Sequence, residues 1–393
     1  MGDQALVIKR IRMAELPEYA LTFTGTTPAP GAAPITRIRA LSQVRNPCAR
    51  PDDVALLVAY RDSRVGGYHG VMPGELVVDG RASRVHWSSA VYVAEADRGR
   101  GVGRQLIDAF KSLRKDLMVP GGMTDSAKGA YCSGGFRSMG NRVYYQLRAE
   151  RIGRTAPFFK LLQPSGPAPG GAIAFPLSWL GRWVLELQKK HFYHRATAAL
   201  SSSKTTIDWR PVDRIQRFTI TAPKGRAIFL RGNDTVNWML EHPWVYSWDK
   251  ITPNDLRHEV RHYYFTKTRN LFRYAAFELY RDAENACRGF VVFSLSRTAR
   301  RAQVKILDYA AKDPEVARGV CFLAMTAARQ ILADRIEIPP GLVSHFRDHS
   351  LLRPLLKEQA LLSVGFPAGA DSPLGASMGR VELGICDGDA AFT

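Results

Sequence analysis

The chain has 393 residues, 46% of them apolar and 23% charged, ordinary globular values that exclude a mainly disordered protein. That length exceeds what a single hydrophobic core usually serves, so two domains are expected. A formal charge of +19 and a pI near 9.9 favour anionic partners: phosphate-bearing cofactors, nucleic acid, sugar nucleotides or an acidic membrane leaflet.

Cys48, Cys132, Cys287, Cys321 and Cys386 are odd in number, scattered and without a C-x-x-C pair, so neither a disulfide frame nor a metal site is indicated. The stretch "MGDQALVIKRIRMAELPEYA" has no apolar run of signal-peptide length and no Ser or Thr at its sixth position, so neither export nor lipidation is signalled. A cytoplasmic location is the expectation.

Residues 52 to 93 read as three consecutive antiparallel strands: the apolar run "VALLVAY", then "RVGGYHGVMPGELVVDG", then "SRVHWSSAVYV". From residue 102 the period changes to that of a helix, with Leu106, Phe110, Leu113 and Leu117 on one stripe. A short strand in "MVPGGMTD", which contains Pro120, a short helix in "SAKGAYCSGGF" and a strand in "NRVYYQLRAE" follow.

The uncharged stretch 161 to 181 carries four prolines and four glycines, which suits a linker rather than a membrane helix. "LSWLGRWVLELQKKHFYHRA" then resumes as an amphipathic helix with Leu177, Leu180, Val184 and Leu187 on one side. Beyond about residue 215 the pattern recurs: a helix in "TVNWMLEHPWV", strands in "FRYAAFELYR", "CRGFVVFSLSR" and "AQVKILDYAA", a long helix in "DPEVARGVCFLAMTAARQILAD", and "RIEIPP". The expected architecture is α/β, with domains at 1–160 and 216–393 joined by 161–215, each a mixed, mostly antiparallel sheet flanked by helices.

The first strand-to-helix junction is "RGRGVG", residues 98 to 103. It reads as a tight turn, as a solvated arginine-glycine patch, or as a phosphate cradle. Glycines permit positive φ and close backbone approach, and a helix N-terminus adds partial positive charge, which together favour the phosphate. The matching junction of the second half, "DYAAKDPEVARGV", keeps one glycine, so no such loop is expected there.

Arg98, Gly101 and Gly103, placed after a strand ending at Val93, form an Arg-x-x-Gly-x-Gly pattern. Here the chain resembles the GNAT superfamily of acyl-CoA N-acyltransferases, over about residues 54 to 148. The resemblance implies that the backbone of Arg98, Gly99, Arg100, Gly101, Val102 and Gly103 binds the pyrophosphate of acetyl-CoA or another acyl-CoA. It further implies that Tyr92 and Val93 pair with the pantetheine arm, and that Arg98 and Arg104 add charge nearby. Glu95 stands where relatives often place proline.

A second match is "YCSGGF", in which Tyr131 stands where the family often has a tyrosine that protonates the leaving thiolate. The same residue also reads as a core tyrosine with its hydroxyl at the surface. Glu75, His86 and Glu95 are candidates for the base, with Glu75 preferred; each also reads as an exposed or locally paired residue. Lys189, Lys190, Arg195, Lys204, Arg210, Arg214 and Arg217 interleave with Trp179, Trp183, Phe192 and Tyr193. That mixture suits either an anionic surface such as a membrane, or a helix with packed aromatics and solvated lysines; no RNA-recognition motif supports nucleic acid.

The implied function is acyl transfer, with acetyl as the expected group, from acyl-CoA to a primary amine of a small molecule or amino sugar. The alternatives are a Fem-type transferase using aminoacyl-tRNA and a non-catalytic GNAT-like binding module.

Overall fold

The computed structural model describes residues 6–22, 33–61, 63–78, 81–119, 121–152, 174–201, 207–219, 227–229, 231–247, 268–281, 286–299, 301–369, 371–378 and 381–384. In chain order the first elements are β1 (Val7–Arg12), α1 (Leu16–Thr22), α2 (Arg37–Gln43), β2 (Val54–Arg61), β3 (Arg64–Val78) and β4 (Arg81–Val93). Next come α3 (Val102–Lys111), β5 (Leu117–Val119), α4 (Asp125–Ser133), β6 (Arg137–Arg148), α5 (Ala174–Ser201), β7 (Ile207–Val212), β8 (Ala227–Phe229) and α6 (Asn233–Glu241). The short strands β9 (Tyr246–Ser247) and β10 (Thr268–Arg269) precede β11 (Leu271–Arg281), β12 (Cys287–Arg297), β13 (Ala302–Ala311) and α7 (Pro314–Ile331). The chain closes with β14 (Arg335–Ile338), α8 (Val343–Arg347), β15 (Leu356–Phe366), α9 (Pro373–Ser377) and β16 (Val381–Glu382).

Two compact units emerge, each assembled from separated stretches: Met1–Arg142, Thr219–Arg269 and Ala360–Thr393 in the first, Val143–Phe218 and Asn270–Gln359 in the second. This is a different partition from the successive ranges expected at residues 160 and 215. Long-range strand pairing is the cause: β5 takes its antiparallel partner from the end of β15, with Val364 opposite Val119 and Phe366 opposite Leu117. Local periodicity carries no record of such a partner.

In the first unit β1, β2, β3 and β4 pair antiparallel in sequence order, and β4 pairs parallel with β5. The apolar run of β2 is continuous because the strand is covered on both faces. Leu56 and Val58 join Leu16, Tyr19 and Ala40 of α1 and α2, whereas Leu57 and Ala59 join Leu106 and Phe110 of α3. Gly67 of β3 lets α3 approach, since a Cβ there would come within 2.7 Å of the Tyr92 carbonyl and 3.2 Å of Val102 and Leu106.

Helix α3 buries Val102, Leu106, Ile107 and Phe110, which bears out the start of the expected stripe and corrects its end. The helix stops at Lys111; Arg114 turns the chain with φ of 52°, and Leu117 opens β5. Pro120 lies outside the described residues.

The second unit repeats the order of strands and helix. β7, β11, β12 and β13 pair antiparallel, α7 follows, and β14 returns parallel to β13. The final residues of β6 pair with β14. Helix α7 fills one face with Val320, Leu323, Ala324 and Ala328.

The buried face of α5 is Phe192, Tyr193, Ala196 and Leu200, not the expected stripe: Leu187 is 43% exposed, and the side chains of Leu177 and Leu180 lie outside the described set. Lys189 is not solvated with its neighbours; it is buried and holds Asp334 at 2.5 Å. Among the described residues no helix is long and apolar enough to cross a membrane.

Candidate functional site

Strand β4 and the short β5 pair only at His86–Leu117 and Trp87–Met118. β5 ends at Val119, while β4 runs on through Ser88 to Val93. Beyond Trp87, therefore, β4 has no ladder with β5 among the described residues, and one edge of an inner strand is open to receive an extended ligand. Tyr92 and Val93 are half-buried at its far end; the Val93 carbonyl accepts a long hydrogen bond of 3.4 Å from Arg98 Nε.

That edge leads into the glycine turn. A short 3-10 turn over Glu95–Asp97 is followed by Gly99 with φ of 76° and Gly101 with φ of 78°. Both are left-handed conformations that glycine adopts without steric cost, and no heavy atom stands within 4 Å of where either Cβ would project. Gly101 is the N-cap of α3 and gives no side-chain cap, so the first amides of the helix, those of Val102, Gly103 and Arg104, face the turn uncapped. Gly103 keeps the wall low, as its Cβ would meet Val93 at 3.5 Å.

Arg98 and Arg100 are exposed beside the turn. Arg104 is committed elsewhere, to Asp108 at 3.0 Å and to the Ser133 carbonyl at 3.2 Å. Uncapped amides, two open glycines and exposed guanidinium charge form a cradle that suits a diphosphate.

The root of this turn is Asp97, fully buried. Its carboxylate meets Arg64 Nη2 at 2.7 Å and Arg61 Nε at 3.3 Å. Sequence reading did not single out any of these three.

The matching junction in the second unit is closed. Asp313 caps α7 with its own carboxylate, which accepts from the amides of Glu315 at 3.0 Å and Val316 at 2.9 Å. An anion would compete with that carboxylate for the same donors and be repelled by it. The surviving Gly319 has a packing reason, since its Cβ would press on Leu279 at 3.1 Å and Ile207 at 3.2 Å.

Tyr131 lies on α4, which starts at the cap made by Thr124 Oγ1 to the Ala127 amide, 3.2 Å. The side chain is 1% exposed, so its hydroxyl does not reach the surface. It meets Ser88 Oγ at 2.8 Å and His69 Nε2 at 3.2 Å, and Ser88 Oγ is 2.9 Å from the same His69 nitrogen. Burial raises the tyrosine hydroxyl above its ordinary range and lowers His69 to about 3, so the imidazole is neutral. Ser88 is the first β4 residue past the last pair with β5, and a bulge in the β3–β4 ladder falls beside it, between Gly70 and Val71.

Of the base candidates, Glu95 is exposed in the 3-10 turn. His86 is buried with Nε2 3.5 Å from Asp53. Glu75 lines an open cleft of about 610 Å³ with Cys48, Arg50, Arg84 and Thr235. It sits opposite Arg84 in the ladder, whose guanidinium is held by Asp53 and by the Cys48 carbonyl, the latter 3.1 Å from Nε. Arg84 is four residues before Ser88 on β4, roughly 13 Å along an extended strand. Glu75 and Tyr131 therefore occupy one sheet but not one hydrogen-bonding locus.

His69 and Ser88 also escaped sequence reading. Their signal was polarity inside buried strands, in "GYHGV" and "HWSSAV", which demands partners.

No protein-family model and no curated protein matches the chain. Among solved structures it is similar to a GCN5-related N-acetyltransferase from Anabaena variabilis, with 10% identity over 93% of this chain and 73% of that one, TM-score 0.44. It is similar to Saccharomyces cerevisiae N-myristoyltransferase with bound myristoyl-CoA and inhibitors, with 11% identity over 93% and 80%, TM-score 0.47. A tandem GNAT protein from the clavulanic acid biosynthesis pathway shows 13% identity over 94% and 100%, TM-score 0.43.

Proposed function

We propose that the chain is an acyl-CoA-dependent N-acyltransferase with two GNAT-like units, whose first unit holds the acyl-CoA and whose second does not. The observation that carries this reading is the continuity of the open β4 edge, Ser88 to Val93, with the two open left-handed glycines and uncapped α3 behind it. A nucleotide diphosphate fits the turn, and an extended arm fits the strand edge.

Bound there, an acyl-CoA supplies a thioester whose carbonyl carbon is open to attack by an amine. The uncapped amides of Val102, Gly103 and Arg104 would hold diphosphate oxygens. The backbone of Tyr92 and Val93 aligns the arm, and Tyr131, behind Ser88, is the proton source for the departing sulfur. Glu75 draws the ammonium of the acceptor into the cleft. At roughly 13 Å along the strand from Ser88 it lies beyond the reach of one bridging water, so its part is to attract the ammonium, and the amine's proton leaves to solvent. The acceptor class is a primary amine on a small molecule or amino sugar, and acetyl is the default acyl group.

Isothermal titration with acetyl-CoA tests this reading. The wild-type chain binds, and Gly101→Val, which forces a branched side chain to positive φ in the turn, loses about tenfold or more in affinity, ~1.4 kcal/mol, with its circular dichroism melt retained. Equal binding by a folded Gly101→Val protein overturns the cofactor assignment.

A further inference from the structure

We infer that Ser88 is the group that hands a proton to the departing sulfur, that Tyr131 recharges Ser88, and that His69 holds the tyrosine oxygen from behind. This deepens the acyltransferase reading and rests on it.

The inference starts from a conflict between placement and role. A proton donor must come within hydrogen-bond reach of its acceptor, yet Tyr131 is enclosed, with its hydroxyl turned onto Ser88 Oγ at 2.8 Å. Ser88 is also buried, but 7% exposed against 1% for Tyr131, and it lies on the strand whose free edge would carry the acyl-CoA arm, at the residue where β4 parts from β5. A serine hydroxyl is both donor and acceptor, so it accepts from Tyr131 while donating outward.

His69 completes the unit. Neutral imidazole has one donor and one acceptor nitrogen. Its Nε2 stands 3.2 Å from the Tyr131 oxygen and 2.9 Å from the Ser88 oxygen, while a backbone hydrogen bond to Leu106 also engages the ring; in the tautomer with the proton on Nε2 the ring donates to those two oxygens. The ring is fixed by packing on Phe110, centroids 4.3 Å apart. Three apolar residues would fill this space without polar atoms to satisfy, whereas the polar cluster lies beneath the open strand edge.

The step balances. The carbon–sulfur bond breaks and its electron pair goes to sulfur. Sulfur takes the Ser88 proton, Ser88 Oγ takes the Tyr131 proton, and the resulting phenolate is held by His69 Nε2–H. The proton that the attacking amine releases to solvent returns by way of Ser88, whose Oγ passes its own proton back to Tyr131.

The test needs no acceptor. The thiol of bound free CoA is titrated by its ultraviolet thiolate absorbance, taken as the difference from the complex with desulfo-CoA. A donor at the sulfur stabilises the thiolate, so the bound thiol ionises at lower pH than free CoA in the wild type. In Ser88→Ala it moves back up by about one pH unit, a tenfold change in ionisation. Ser88→Thr restores the wild-type value, and Tyr131→Phe and His69→Gln give smaller upward movements. Desulfo-CoA affinity stays within about twofold throughout, because no sulfur contact is at stake.

An unchanged thiol titration in Ser88→Ala, with CoA bound, overturns this inference and leaves the cofactor assignment standing. Failure of the wild-type chain to bind CoA at all overturns both.

Discussion

Arg64 Nη2 lies 2.7 Å from the carboxylate of Asp97, a residue with no exposed surface, placed immediately before the arginine and glycines of the turn that opens α3. Arg61 Nε approaches the other carboxylate oxygen at 3.3 Å. Gly66 leaves room for the pair, since a Cβ there would stand 3.2 Å from the Asp97 carboxylate. One buried anion thus ties the end of β2, the start of β3 and the root of the turn together.

Asp97→Asn removes that charge and leaves the mostly buried Arg61 guanidinium without its counterion. Breaking a buried ion pair from one side costs about 3 kcal/mol, and the turn loses its anchor. The expected outcome is a lower melting temperature together with weaker acetyl-CoA binding, followed by calorimetry and titration. Equal affinity at a temperature where the variant is folded would show that Asp97 supports stability alone.

Gly67→Ala tests how closely α3 must lie on the sheet. The added methyl would meet the Tyr92 carbonyl at 2.7 Å and Val102 and Leu106 at 3.2 Å, and backbone cannot give way as a side-chain tip can. Strain of this kind costs about 1–3 kcal/mol. The expected result is a shift in urea midpoint of that size, with reduced acetyl-CoA affinity because the displaced helix begins at the binding turn.

Much of the first unit was legible in the residues. The three strands up to Val93, the change of period at the glycines and the position of the turn all follow from local pattern, and local pattern is what the structure kept. The end of α3 was not legible, because Leu113 and Leu117 continue a helical stripe while Arg114 leaves the helix. Nor was the partner of β5, which comes from the other end of the chain. β1, "VIKRIR", does not alternate apolar and polar residues, so local pattern did not mark it as a strand. The His69–Ser88–Tyr131 cluster depends on the register of β3 against β4 and on the bulge beside Ser88, and neither is written in spacing.

Asp313→Ala in the second unit separates a structural helix start from a binding one. Loss of the two hydrogen bonds to Glu315 and Val316 costs about 1 kcal/mol, the usual range for an N-cap. The stoichiometry and affinity of acetyl-CoA stay unchanged, because that helix start lacks the open glycines. Appearance of a second acetyl-CoA site in titration would show that the aspartate alone excludes the ligand.

His69 sets an acid limit on stability. Burial lowers it to about 3 in the folded chain, against about 6.5 for an unfolded histidine. Below pH ~6.5 the unfolded chain takes up a proton that the folded chain refuses, so stability falls as pH falls, through a window running down to about 3, at up to ~1.4 kcal/mol per pH unit. Between pH ~7 and ~5 this one residue removes about 2 kcal/mol. His69→Gln keeps a donor near the Nε2 position and does not titrate, so its unfolding free energy, measured by urea denaturation at both pH values, falls by correspondingly less than that of the wild type. Parallel losses in the two proteins would mean that His69 is already protonated in the folded chain, and that it does not enter the cluster as neutral imidazole.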